Sequence, residues 1–183
     1  MNRNKFLSIT ISMFATLFVF SCQDENKSES IKESSNIKMS ESENETKDVM
    51  LNLLDLEMYF TNASSVGSER ANDPKLKEIS LIAKEAHQNN YEKLKLICEE
   101  KGYQVPEKLS KESNANLFKL TITNSADFDN YYIENVSKEY KTIIDSTAKI
   151  INENTYVDVI DVLTVLESNY RKKLENLERI NDK

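Results

Sequence analysis

Ala83-Lys84-Glu85-Ala86-His87-Gln88-Asn89-Asn90-Tyr91-Glu92-Lys93-Leu94 decides the fold, because the residues on either side fix where a helix starts and stops. Asp73 precedes it as an N-cap, and Pro74 takes the first helical position, where a missing N–H leaves nothing unbonded. Gly102 follows as a left-handed cap, with Pro106 after it. In between, Leu76, Ile79, Ala83, Ala86, Asn90, Leu94 and Ile97 recur at steps of three and four, the spacing of one helix face.

The same period runs outward in both directions. Val49, Leu53, Leu56, Phe60, Ala63 and Gly67 form an earlier stripe. Ser110 to Thr121 reads as a short helix burying Leu117 and Leu120. Ser125 is expected to cap a helix carrying Phe128, Tyr132, Val136, Tyr140, Ile143, Thr147 and Ile150, with Asp127 and Asp129 near its positive end. Thr155-Tyr156-Val157-Asp158 opens a last helix on Val159, Leu163, Leu166, Tyr170, Leu174 and Leu177. Periods near 3.5 predict shallow packing angles. The first and last pairs of long helices are joined by short links, and residues 102–125 make a long crossover. The expected fold is all-α: four long helices in a ferritin-like bundle, with a short helix in the crossover.

Composition agrees. Two glycines and two prolines in 183 residues are too few for the turns of an all-β fold. The formal charge is −7, and an acidic chain without a basic stripe is not built to hold phosphate backbones. Nucleic acid is therefore not an expected partner. The two cysteines, Cys22 and Cys98, cannot make a disulfide framework if the first is lipidated.

That lipidation is the expectation for residues 1–21, read as a lipoprotein signal peptide. Arg3 and Lys5 precede an apolar run, Phe6 to Phe20, too short to span a bilayer. Val19-Phe20-Ser21-Cys22 resembles a lipobox, whose cysteine is acylated. Two or three acyl chains at about 0.8 kcal/mol per buried CH₂ give lasting membrane attachment. Losing Arg3 and Lys5 would take the charge from −7 to −9. Gln23-Asp24-Glu25 resembles the surface-export signal of Bacteroidota lipoproteins, which favours the cell surface over the periplasmic face of the outer membrane. Residues 22–47 read as a lipidated, disordered tether, since polar residues dominate it and only Ile31, Ile37 and Met39 are sizeable apolar groups. The bundle domain is then 48–183.

Across the domain the sequence resembles the DUF4142 family. The resemblance is carried by the joint from Ala71 to Leu76, the run Ala83 to Leu94, Lys101-Gly102 with Pro106, the pair Phe128-Asp129 with Tyr132, and Leu163, Leu166 and Tyr170. These are packing and capping positions, so the resemblance implies a ferritin-like fold more than an activity. Many members carry a histidine on each of three helices. Here His87 remains, while the matching positions hold Tyr140 and Asn169.

Candidate chemistry is sparse. A di-iron bundle needs Glu-x-x-His on two helices, and the single histidine follows Glu85 at the wrong spacing. No metal or other cofactor is expected, and the stripes are read as wholly apolar or aromatic, without a carboxylate cluster. His87 is read as a boundary side chain bonded to a neighbouring helix, Cys98 as a small buried residue, and Tyr131, Tyr132, Tyr140 and Tyr170 as boundary tyrosines. As contact or ligand residues, His87, Tyr140, Tyr170 and Asn169 are the candidates. Asp145-Ser146-Thr147 resembles an O-glycosylation triplet. No nucleophile–base pair is present in sequence, so no catalytic residue is expected. The functional expectation is a non-enzymatic, lipid-anchored envelope protein with an unknown protein or envelope partner. Its alternative is a degenerate ferritin-like protein holding a metal or small ligand in the bundle core.

The stripes make a direct prediction. Phe60→Ala and Leu166→Ala should each cost about 2–5 kcal/mol through lost burial and a cavity. Glu175→Ala, off the stripe, should cost no more than about 0.5 kcal/mol. Urea unfolding of the three variants checks this, and equal losses for Glu175 and Leu166 would mean the last helix faces another way.

Overall fold

The computed structural model describes residues 41–153 and 156–181. They form α1 (Glu41–Arg70), α2 (Pro74–Glu100), α3 (Lys111–Ile122), α4 (Phe128–Glu153) and α5 (Val157–Asn181). The expected signal peptide, Cys22 and the expected tether up to residue 40 lie outside the described residues. The expected boundary at residue 47 is corrected: α1 starts at Glu41. Glu41 and Glu43 sit in its first turn, where the helix dipole favours acids. Thr46 is already buried, and Glu45 pairs with Lys149 of α4. Glu41 and Asn44 lie on the exposed side of this helix.

The caps of α2 follow the sequence. The Asp73 carboxylate accepts the N–H groups of Lys75 and Leu76 at 2.7 and 3.0 Å. At the other end Gly102 takes a φ of 72°, which a side chain would resist. Tyr103 N–H then closes on Cys98 O at 2.8 Å. Ser110 caps α3 by accepting Ser113 N–H at 3.1 Å. The expected cap of α4 is corrected. The Asn124 side chain accepts Asp127 N–H at 3.0 Å, while the Ser125 hydroxyl turns to Asn72 Oδ1 at 3.2 Å. Asp129 accepts the backbone N–H groups of Asn72 and Asp73, both at 2.8 Å. That carboxylate ties the α1–α2 joint to the start of α4.

These contacts fix the topology. The end of α1 and the starts of α2 and α4 lie at one end of the bundle. Lys149 to Glu45 and Lys101 to Asp158 mark the opposite end, where α1 and α5 begin. The chain therefore runs up α1, down α2, back up through the crossover, down α4 and up α5. Two antiparallel hairpins joined by a long crossover make the ferritin-like arrangement. The crossover helix α3 is held at both ends by α1. Asp55 accepts Ser110 N–H at 2.6 Å and the Ser113 hydroxyl at 2.5 Å. The Arg70 guanidinium donates to Leu120 O at 2.8 Å and to Thr121 O and Thr123 O at 2.5 Å.

The described residues form one compact unit around a shared core. In α2 the buried line is Leu76, Ser80, Ala83, His87, Leu94 and Cys98, so the helix is turned about one residue from the expected stripe. Ile79, Ala86 and Ile97 are only half-buried. Small residues at Ser80 and Ala83 let α1 approach closely.

Gly67 marks the tightest approach. A Cβ there would stand 2.6 Å from Ser80 Oγ and 2.7 Å from Tyr132 Cε2. Alanine gains up to about 1 kcal/mol of helix propensity, but overpacking against a buried ring costs about 1–3 kcal/mol. Gly67→Ala should therefore be net destabilising by about 1–2 kcal/mol in urea unfolding.

Candidate functional site

The centre of the bundle is polar, contrary to the reading of the stripes. Glu57 of α1 and His87 of α2 are completely buried. His87 Nδ1 lies 2.6 Å from Glu57 Oε2, and His87 Nε2 lies 2.7 Å from the Tyr140 hydroxyl of α4. Tyr170 of α5 donates its hydroxyl to Glu57 Oε1 at 2.5 Å, and Asn90 Nδ2 donates to the same oxygen at 3.0 Å. All four long helices meet in this one network.

The helices deliver these groups in register. His87 and Asn90 are three residues apart on α2 and so share a face. Phe60, three residues after Glu57, packs its ring against Tyr140 and His87, with centroids 4.5 and 4.8 Å apart. These rings cover one side of the network.

Proton counting gives the charge state. If His87 is neutral, its Nδ1–H donates to Glu57 and its Nε2 accepts the Tyr140 proton. Every group is then satisfied, and the carboxylate receives three donors. A doubly protonated imidazole would leave the Tyr140 hydrogen without an acceptor in the network. Burial, the larger influence, pushes the His87 pKa down, against the Glu57 hydrogen bond and charge, which push it up. Burial also raises Tyr140 and Tyr170 well above the usual phenol range, helped in both by the Glu57 charge. Lys173, half-buried one turn beyond Tyr170, has its pKa lowered by burial while Glu57 pulls it upward.

The cluster brings together His87, Tyr140 and Tyr170 and leaves out Asn169. Asn169 lines a cleft between α2 and α5, together with Asn90. Cys98 is buried, and burial pushes its thiol up to about 11, so it stays protonated and unreactive at neutral pH. Tyr132 is buried with its hydroxyl 3.3 Å from Ser80 Oγ. Thr147 of the glycosylation-like triplet is buried, its hydroxyl bonded to the carbonyls of Ile143 and Ile144.

Chemically, the network holds a proton arrangement and locks four helices together. Among the described residues no three His, Cys, Asp or Glu side chains gather as a metal site. The potential donors run end to end, Tyr140–His87–Glu57–Tyr170. Both imidazole nitrogens are engaged on opposite edges of the ring, so one ion could not reach both ends.

Glu57 is the residue that sequence reasoning missed. Its signal was available: it lies four residues after Leu53 and three before Phe60, beside the buried stripe. A lone histidine three residues from an asparagine on the stripe of α2 also called for a carboxylate partner.

A two-hairpin bundle with a closed polar centre is the class that this geometry defines. The chain belongs to the DUF4142 family, a domain of unknown function whose model matches residues 32–180. Two solved structures share the fold. The crystal structure of a DUF305 fragment from Deinococcus radiodurans is 10% identical with a TM-score of 0.66, over 74% of this chain and 94% of that one. YcfI from Rhodopseudomonas palustris is 16% identical with a TM-score of 0.64, over 79% of this chain and 96% of that one. No curated protein matches the chain in sequence.

The neutral imidazole sets a pH dependence. His87 has a lower pKa folded than unfolded, so below its unfolded value near ~6.5 the unfolded chain binds the extra proton. Stability should be fully present above about pH 7 and fall on acidification, with a slope of at most about 1.4 kcal/mol per pH unit from this group. His87→Gln should be less stable at pH 8 and show a flatter profile between about pH 7 and 5. Urea unfolding across that window, wild type against variant, measures the difference.

Proposed function

We propose that the chain is a lipid-anchored, non-enzymatic bundle protein of the cell envelope that works through protein or envelope contacts. The closed polar centre carries the non-enzymatic part. His87 has no exposed surface and both ring nitrogens bonded, and Glu57 is buried under three donors. A general base must reach the proton it abstracts, and neither group reaches solvent. Support for the anchor comes from the sequence alone, in Arg3, Lys5, the run Phe6 to Phe20 and the lipobox-like Val19-Phe20-Ser21-Cys22. The acidic residues at Gln23-Asp24-Glu25 favour the surface of the outer membrane.

The second reading is a metal or small ligand held in the core. The observation in its favour is that polar side chains from four helices converge there. Metal analysis separates the two: near-stoichiometric metal that disappears in His87→Ala would put the second reading first.

The anchoring test uses labelled fatty acid and membrane fractionation. Wild type should take the label and sediment with membranes, whereas Cys22→Ala should take none. Continued labelling of Cys22→Ala would end the lipoprotein reading. His87→Gln should keep both label and membrane fraction while losing stability.

A further inference from the structure

Between α2 and α5 the bundle is left partly open. The small residues that bring α1 and α2 together have no counterpart here, and the two helices leave a cleft of about 310 Å³. Its walls are Leu94 on α2 and Val162, Val165 and Leu166 on α5. Val165 is 61% exposed, although the period of α5 would allow a polar residue there at no cost to the core. Two primary amides, Asn90 and Asn169, line the same space, and Lys93 and Asp161 bring one charge of each sign. A larger hollow on α4 and α5 differs in chemistry, being walled by Glu134, Lys138, Lys141, Asp145 and Glu178.

Asn90 joins this cleft to the buried centre. Its Nδ2 donates to Glu57 Oε1, and the carboxylate requires that orientation of the amide, because it can only accept. The carbonyl Oδ1 and the second N–H hydrogen of Asn90 remain for an occupant. Apolar walls with a few convergent polar groups are what small-molecule sites have, and the volume falls at the lower end of the usual range, roughly 300–1,000 Å³.

We propose that the α2/α5 cleft binds a small neutral amphiphile. Its compact apolar body lies against Leu94, Val162, Val165 and Leu166, and a single hydroxyl or amide head bonds to Asn90 and Asn169. Neutrality follows from the lining: Lys93 and Asp161 offset each other, and amides donate and accept equally well. Through Asn90 the head group perturbs the Glu57–His87 pair, so occupancy is felt at the centre of the bundle. The site meets the core network at Asn90, and it does not depend on membrane anchoring.

The single histidine of the chain makes an unambiguous reporter. The full chain is titrated with phenylbutanol, butylbenzene and phenylbutyrate, three probes with one body and a neutral, absent or charged head. Methyl NMR signals of Leu94, Val162, Val165 and Leu166 should shift saturably with phenylbutanol, and the His87 ring signals should move with the same midpoint. Butylbenzene and phenylbutyrate should bind about 3–10-fold more weakly, the equivalent of one net hydrogen bond. Val165→Trp fills the cleft from its exposed side and should abolish the shifts while leaving the melting temperature unchanged. Asn169→Leu should remove the preference for phenylbutanol over butylbenzene. Shifts that do not saturate, or that persist in Val165→Trp, would overturn the site. Equal binding of all three probes to wild type would overturn the assignment of the head group. Failure of the Cys22 labelling test would leave these outcomes untouched.

Discussion

The buried carboxylate of Glu57 is the constraint on which the rest of the bundle depends. An ionised group moved out of water without partners is costly enough that its protein must supply donors or neutralise it. Here the donors come from two other helices: His87 and Asn90 from α2 and Tyr170 from α5. The fourth long helix is drawn in through Tyr140 and the far side of the imidazole. An apolar core of similar volume could slide by a turn and still bury its surface. This one has a single register in which every donor meets its acceptor, because breaking a buried pair costs about 3–5 kcal/mol, a large part of the ~5–15 kcal/mol that holds a domain folded.

The same network explains how the bundle differs chemically from a di-iron carboxylate protein. Such a protein keeps lone pairs from four helices turned toward an ion. In this chain the side chains that meet at the centre are arranged around a single carboxylate. Phenol, amide and imidazole each direct a proton at the one carboxylate or at its immediate neighbour, and the Phe60 ring closes the side. A polar centre that satisfies itself in this way gives specificity of packing without needing a bound group.

Much of the fold was legible because helix ends are local. Asp73-Pro74, Ser110 and Gly102 act through atoms within a few residues of themselves, so their spacing in sequence is their geometry in space. The placement of faces was less legible, and the reason is visible in α1. A helix packed on one side buries one stripe, but α1 touches α2, α3 and α4, and Leu53, Leu54, Asp55, Leu56 and Glu57 are all buried in succession. Periodicity cannot resolve a helix surrounded on three sides, and it assigns the polar members of such a run to solvent. Ser125 failed as a cap for a related reason: its competitor Asn124 is equally suited to the turn, and the choice was made by Asn72, a residue far away in sequence. His87, Tyr140 and Tyr170 were singled out as candidates, while Glu57, which joins them, was passed over because it stands inside that continuous buried run.

Asp55 and Arg70 place opposite charges at the two ends of α3, an acid at its positive end and a guanidinium at its negative end. Both belong to one helix, and they lie 55 and 50 residues before the groups they hold. A twelve-residue helix is marginal on its own, so α3 gains its order from a mould that must already exist. The order of events in folding is thereby biased: α1 is the template, and the crossover is cast against it after the first hairpin has formed. Its attachment joins these charged ends to the buried side chains of Ser113 and Leu120, so α3 docks or leaves as a cooperative unit of its own.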